Sequence, residues 1–222
     1  MVEWGMAAGL LYTLWTNYPY KTMHTKEHSD LFITESMQDI AHEKVVLDIG
    51  GGERFGKWMQ PYEPLFKNCD YRTFDYDAST GADVVGDIHE LPLPDASVDA
   101  IICSSVLEHV RDPLRAMSEL ERVLRPGGKM FFYVPSMYPY HARKGHYPDY
   151  WRFFEDTIQE LFTKFSKFTI EKRGGYFLAL SFFVPLQHRL RWLLTPAAEL
   201  LDNVFNTKKR NTTAGYYVYA IR

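Results

Sequence analysis

The feature that most constrains this chain is a short apolar run ending in glycines, Val45-Val46-Leu47-Asp48-Ile49-Gly50-Gly51-Gly52. A continuous apolar run of this length reads as a strand buried on both faces, as in a parallel sheet. Similar runs follow at Tyr71-Arg72-Thr73-Phe74, ending at Asp75, then at a weak Asp83-Val84-Val85, at 98–103 and at 129–134. Apolar runs alternating with helical patterns mean βαβ units. The clearest helix lies between the last two runs. Asp112 suits its N-cap and Pro113 its first position. Leu114, Met117, Leu120 and Leu124 recur at helical spacing until Pro126-Gly127-Gly128 stops them. Residues 21–40 read as an earlier helix with Ser29 or Asp30 as its cap, and 155–165 as a later one. A sixth strand is expected at 168–172, apolar helix at 177–205 broken at Pro185 and Pro196, and a final strand at 215–221. No linker separates two domains. The whole of 1–222 is expected as one α/β domain: a helical arm over 1–40, a cofactor-binding core over 45–134, lid and substrate-side insertions over 135–205, and the last strand.

Composition removes several classes. With 46% hydrophobic and 24% charged residues, the 222-residue chain is globular rather than disordered. A net charge of −3 is not that of a polyanion binder, so no nucleic-acid partner is expected. Cys69 and Cys103 stand in unrelated contexts and form neither a disulfide framework nor a metal knuckle. The start Met1-Val2-Glu3 has the wrong charge for a secretory signal, so a cytoplasmic location is expected. Residues 4–20 carry no charge, yet the run is short for a span and is diluted by Thr13, Thr16, Asn17 and Pro19. The plain expectation is an arm packed on the body. The alternative is peripheral membrane contact through 4–15, with Trp4 and Trp15 at headgroup level, or through 176–194. Oligomeric state has no signal here.

In open α/β sheets ligands bind beyond the carboxyl ends of the strands, at the switch point. Glycines there let backbone come close to a ligand. Gly50, Gly51 and Gly52 therefore read as a cofactor loop. The dinucleotide pattern fails because Phe55 stands at the third glycine position, and the Walker pattern fails because Gly56-Lys57 is followed by Trp58. Asp75 ends the second strand, where a carboxylate accepts from both ribose hydroxyls. Asp87 suits an exocyclic amine while Ile88 packs on a base, and Asp48 would sit near an amino end. Singly each aspartate also reads as a loop cap. In this order on successive strands they read as a nucleoside site.

The strings VLDIGGG (46–52), FDYD (74–77), GDIHELPLPDASVDAIICSSVLEHVRDP (86–113) and ERVLRPGGKMFFYVP (121–135) resemble the S-adenosylmethionine-binding core of class I methyltransferases, in their small-molecule branch. The resemblance implies a Rossmann-like, seven-stranded, mostly parallel sheet with an antiparallel last strand and helices on both faces. It implies S-adenosyl-L-methionine as cofactor. Asp48, Gly50 and Gly52 would contact its methionine part, Asp75 its ribose, and Asp87 with Ile88 its adenine, with Gly51 and Tyr76 also against the cofactor. Cys103 and Ser104 would border the methyl group and substrate. Where the family often has a further glycine, this chain has Arg54. In some related quinone O-methyltransferases a Glu-x-x-Glu-His run holds a divalent metal. Here Ser105 takes the first position, so a ligand is missing, no metal is expected, and Glu108 and His109 are read as organising the turn after the strand.

Residues 135–151 are rich in Pro, His, Tyr and Gly without periodicity, and a loop of that length reads as a lid or substrate loop. His146 is the candidate general base, with His109 a second catalytic candidate. His141, Arg143 and Arg152 are expected to meet the acceptor's proton or an anionic group, and Tyr147 and Tyr150 to stack on a ring or sugar face. Asp149, Trp151 and Phe153 read equally as caps and staples of the next helix. The stretch HYPDYWRFF (146–154) resembles a run in methyltransferases of bacterial cell-surface sugars. That implies methyl transfer to a small-molecule acceptor, by O-methylation of a sugar, glycan or lipid-linked precursor. The alternatives are a cofactor-binding protein without turnover and an NAD-linked oxidoreductase. A base-flipping methyltransferase is disfavoured, since the fourth strand does not end in Asn/Asp-Pro-Pro-Tyr.

Overall fold

The apolar run forms β1 (Val45–Ile49), and strand alternation assigns its side chains to two cores. The computed structural model describes residues 28–222, so the expected arm at 4–20, with Trp4 and Trp15, lies outside the described residues. β1 pairs in parallel with β2 (Asp70–Asp75) on one side and β4 (Val98–Ser104) on the other. With β3 (Val84–Val85), β5 (Leu124–Pro135), β6 (Lys167–Lys172) and β7 (Gly215–Ile221), the sheet runs β3-β2-β1-β4-β5-β7-β6. β7 lies antiparallel to both β5 and β6.

Helices cover both faces. On one, Leu47, Ile49, Ile101 and Phe132 pack with Met117, Leu120 and Val123 of α2 (Pro113–Val123) and Ile158 and Leu161 of α3 (Glu155–Leu161). On the other, Val46, Ala100, Ile102 and Phe131 pack with Met37 and Ile40 of α1 (His28–Ile40) and with Met59 and Phe66 of a 3-10 segment, Lys57–Phe66. Each such fully buried side chain contributes roughly 1.5–3 kcal/mol of transfer free energy.

α2 starts as its sequence predicts: the Asp112 carboxylate accepts from the Arg115 N–H at 3.0 Å, and Pro113 is its first residue. Its end differs. Leu114 is 61% exposed, the helix stops at Val123, and Leu124 already belongs to β5. The Pro126-Gly127-Gly128 run sits inside that strand as an irregularity opposite Val98 and Ala100. Backbone bonds from Gly127 N–H to Arg222 O and from Arg222 N–H to Gly128 O, both 2.9 Å, hold the glycines in the sheet.

Toward the end of the chain, α4 (Tyr176–Ser181) and α5 (Gln187–Val204) are separated near Pro185, as expected. Pro196 instead lies within α5. The carbonyl it leaves without a helical donor belongs to Trp192, an exposed residue, where water can serve. The buried Asp202 carboxylate of α5 caps α4 from a distance, accepting from the N–H groups of Gly175 (2.9 Å), Phe177 (2.8 Å) and Leu178 (3.1 Å). Among the described residues no helix is long and apolar enough to cross a membrane.

Leu120, fully buried between α2 and the sheet, is expected to cost about 2–5 kcal/mol as Leu120→Ala, read as a lower denaturant midpoint at unchanged slope.

Candidate active site

The carboxyl ends of β1, β2 and β4 meet at one edge. Gly50 follows β1 at φ +71°, where glycine is favoured, and its N–H donates to Phe74 O at 2.7 Å. A Cβ there would stand 2.6 Å from Val106 Cγ2, so the glycine loop touches the turn that follows β4. Asp48 is only 4% exposed and accepts from the Tyr71 hydroxyl at 2.6 Å. Its Oδ2 would lie 2.5 Å from a Cβ on Gly51, so it supports the loop from beneath. Gly52 faces Asp75, whose Oδ1 accepts from the Asp77 N–H at 3.0 Å. Tyr76 stands 74% exposed at the rim. Arg54, in place of the family's glycine, shares its Nε–H between the two Asp83 carboxylate oxygens at 2.8 and 2.9 Å and ties the loop to the approach to β3.

Asp87 accepts from the His89 N–H at 2.9 Å and faces His89 Nδ1 at 2.6 Å. A cavity of about 350 Å³ opens beside it, lined by Asp87, His89, Glu90, Arg111, Asp112 and Arg115. Two expected contacts are corrected. The Ile88 side chain is 6% exposed and belongs to the core, so it offers no free platform for a base. Cys103 is fully buried with Ile101 on one face of β4, and burial pushes its thiol well above the ordinary value. Alternation turns only Ser104, half-buried, to the other side.

Beyond β4, Ser105 adopts φ +57°, an uncommon conformation for a non-glycine residue, and Leu107–His109 form one 3-10 turn. This turn straps down the long segment that follows β5. The Glu108 carbonyl accepts from the N–H groups of Tyr150 (2.7 Å) and Trp151 (3.2 Å), and the Trp151 indole donates to Val110 O at 2.9 Å. Arg152 forks onto both Asp149 oxygens, at 2.5 and 2.7 Å, and donates to the carbonyls of Tyr138 (2.9 Å) and Pro139 (2.8 Å). Arg152, expected to hold an anionic group, is thus an internal clamp. Asp149 does not cap α3: it accepts from Arg152 and from the His141 N–H at 2.8 Å. Burial alone would raise its pKa, but those bonds hold it at about 2. Phe153 is core, and Trp151 is anchored to the turn.

These bonds gather a cluster that spacing did not reveal. The Glu108 side chain is fully buried, and neither of its oxygens has a hydrogen-bond partner among the described residues. Burial pushes its pKa up to about 8. The Nε2 atoms of His109 and His141 both point at its Oε1, at 3.8 and 3.9 Å. The two rings lie 4.9 Å apart in an edge arrangement, and Tyr147 covers His109 at 4.4 Å. Burial holds His109 below the usual histidine value. Glu108 and His109 were legible as a pair. His141 lies 32 residues away in a stretch without periodicity, so only the strapping brings it in. His146 stands apart: its Nδ1 is 3.3 Å from Asp77 Oδ2, at the tip of a small hairpin closed by the Arg143–Tyr147 bridge. Tyr150 and Arg143 lie exposed on the same segment.

A strand-ending glycine loop at the switch point, an acidic residue closing each of the next two strands, and an antiparallel last strand define a nucleoside-binding domain of the class I methyltransferase type. Residues 47–132 match the family described as "Methyltransferase domain". A "Probable S-adenosylmethionine-dependent methyltransferase" of Mycolicibacterium smegmatis is 34% identical over 133 residues, covering 48% of this chain and 49% of that protein. A thiol S-methyltransferase of Homo sapiens is 44% identical over 48 residues, covering 22% of this chain and 20% of that one. The chain spans about half, or less, of the length of the curated relatives it matches. The crystal structure of an S-adenosylmethionine-dependent methyltransferase from Archaeoglobus fulgidus superposes with a TM-score of 0.60 at 15% identity, over 95% of this chain and 99% of that one, which shows the shared fold. Residues 47–132 thus match a methyltransferase domain, on the fold shared with the solved methyltransferase, and the oxidoreductase reading is set aside.

Gly50→Ala is expected to weaken binding of the demethylated cofactor at least about tenfold, because the strained φ and the Val106 clash displace the loop. Titration calorimetry, with unchanged circular dichroism, checks this.

Proposed function

We propose that this protein transfers the methyl group of S-adenosylmethionine to a hydroxyl oxygen of a small-molecule acceptor, a sugar, glycan or lipid-linked precursor. The observation that supports this reading is the group of proton acceptors beside the glycine loop, at the turn after β4. A hydroxyl needs its proton taken up as it attacks, whereas a neutral amine does not. Glu108, with a pKa raised to about 8, is protonated at neutral pH and is not the base. His109, held neutral by burial, can take the proton at Nε2. The hydroxyl oxygen then attacks the methyl carbon in line, the carbon–sulfur pair returns to sulfur, and the cofactor leaves as a neutral thioether. Holding donor and acceptor in line supplies on the order of 7–11 kcal/mol of the barrier. In this reading Asp75 takes the ribose and Asp87 the adenine edge, with Tyr76 at the rim of the cofactor site. His146, by meeting Asp77, closes the lid over the cofactor rather than moving the proton.

Incubation with cofactor and a panel of hydroxyl, amine and thiol acceptors is expected to release demethylated cofactor with hydroxyl compounds, the methyl located on oxygen by mass spectrometry. His109→Ala should lower turnover by about 10²–10⁴-fold, the typical contribution of a positioned base, and His146→Ala should raise KM more than it lowers kcat. Methylation confined to nitrogen or sulfur overturns the acceptor class.

The same reading gives α4 and α5 a role at a membrane surface. Phe183, Val184 and Leu186 between the two helices and Leu190, Trp192 and Leu193 on α5 are exposed, with exposed Arg189 and Arg191 among them, a composition suited to anionic headgroups. Flotation with anionic vesicles is expected, weakened by Trp192→Glu with Leu193→Glu. Equal recovery with neutral vesicles, or none with either, contradicts it.

A further inference from the structure

We infer that Glu108, His109 and His141 form a binding site for one divalent transition-metal ion of the zinc class. One ligand atom from each lies within 4.8 Å of the others, and Glu108 Oε1 stands 3.8 and 3.9 Å from the two Nε2 atoms. Around a tetrahedral ion with bonds of about 2.0–2.1 Å, ligand atoms stand about 3.3 Å apart, so the two carboxyl–imidazole distances must close by about half an ångström and the imidazole–imidazole distance, within 4.8 Å, by at most about 1.5 Å.

Two further observations point to a cation. The Glu108 carboxylate is fully buried with neither oxygen bonded among the described residues, a costly state for a group that closes on nothing. The tautomers are set as well. His109 Nδ1 lies 2.5 Å from the Pro148 carbonyl oxygen. His141 Nδ1 lies 3.1 Å from Pro139 O and 3.2 Å from Asp149 Oδ2, nearer than the Arg152 Nη2 donor at 3.4 Å. With both Nδ1 protons donated outward, both Nε2 lone pairs face the Glu108 carboxyl group, and an incoming cation would displace that group's single proton to complete three ligands. This is the outer-shell arrangement that orients histidines on metals. The Arg152 charge, which would oppose a cation, is taken up by its fork onto Asp149. Two imidazoles and one carboxylate suit zinc, cobalt or nickel better than magnesium or calcium, and three protein ligands leave a position open.

The site stands on this cluster alone. Its use rests on the methyl-transfer reading: with the ion bound, His109 Nε2 is a ligand and no longer the base, so the acceptor hydroxyl takes the open position, loses its proton to water more readily on the ion, and attacks the methyl carbon as the carbon–sulfur bond breaks toward sulfur.

The full chain, stripped with chelator, is titrated with zinc against a chromophoric competitor, and separately with cobalt, whose visible absorption reports coordination. One ion per chain is expected, with an intense tetrahedral cobalt band. Glu108→Gln and His141→Ala should each weaken zinc at least tenfold and abolish that band, and Asp149→Asn should weaken it about tenfold through His141. Unchanged calorimetric binding of demethylated cofactor in His141→Ala shows the fold intact. No stoichiometric zinc, or zinc bound equally by both ligand variants at other histidines, overturns the site. Either result leaves methyl transfer with His109 as base standing, whereas absence of turnover with zinc bound removes only the acceptor role.

Discussion

The parallel pairing of β1 with β2 on one side and β4 on the other is the constraint from which the rest of this molecule follows. The chain leaves β1 toward one edge of the sheet and returns toward the other, so the segments after β1 and β4 part above the sheet and a crevice opens between them. Everything with chemistry in it sits on that crevice: the glycine loop after β1, Asp75 after β2 and the 3-10 turn after β4. Contact between Gly50 and Val106 shows how little room separates the two sides. A side chain at 50 would have to displace the turn that carries Glu108 and His109.

A second layer depends on this first one. The segment after β5 has no regular structure to satisfy its backbone groups, and it borrows partners instead. Glu108 O and Val110 O take its N–H groups on one side, while Arg152 gathers the carbonyls of Tyr138 and Pro139 on the other. Arginine suits the second task because its planar fork serves a carboxylate and two carbonyls at once. Ordering this segment by charge-assisted bonds at its base leaves its tip, around Arg143 and His146, projecting toward Asp77. A buried base under an exposed tip divides the segment's labour, with the base holding geometry and the tip meeting solvent.

How much was legible depended on distance along the chain. α2 announced its start because Asp112 and Pro113 act within one turn. Its end departs from the periodicity because Leu124 looks helical by spacing, while the competing partner that draws it into β5 is Val98 on another strand. Pro196 looked like a break because a proline removes a donor locally, but whether that matters depends on whether water reaches the orphaned carbonyl. Cys103 and Ile88 sat at the right places in the string, and the faces they turn to are set by the sheet and the core.

By itself the sequence determined the sheet, the glycine loop at its edge and the class of domain, because a buried strand, its glycines and the acidic residues that close the strands are each contiguous and carry their meaning in short-range chemistry. Only the tertiary structure decided that Arg152 and Asp149 serve each other rather than a ligand, and that His141 rather than His146 joins Glu108 and His109. The physical reason is that those meetings are made by hydrogen bonds between the turn after β4 and a segment more than thirty residues on, and no local propensity encodes a bond of that span.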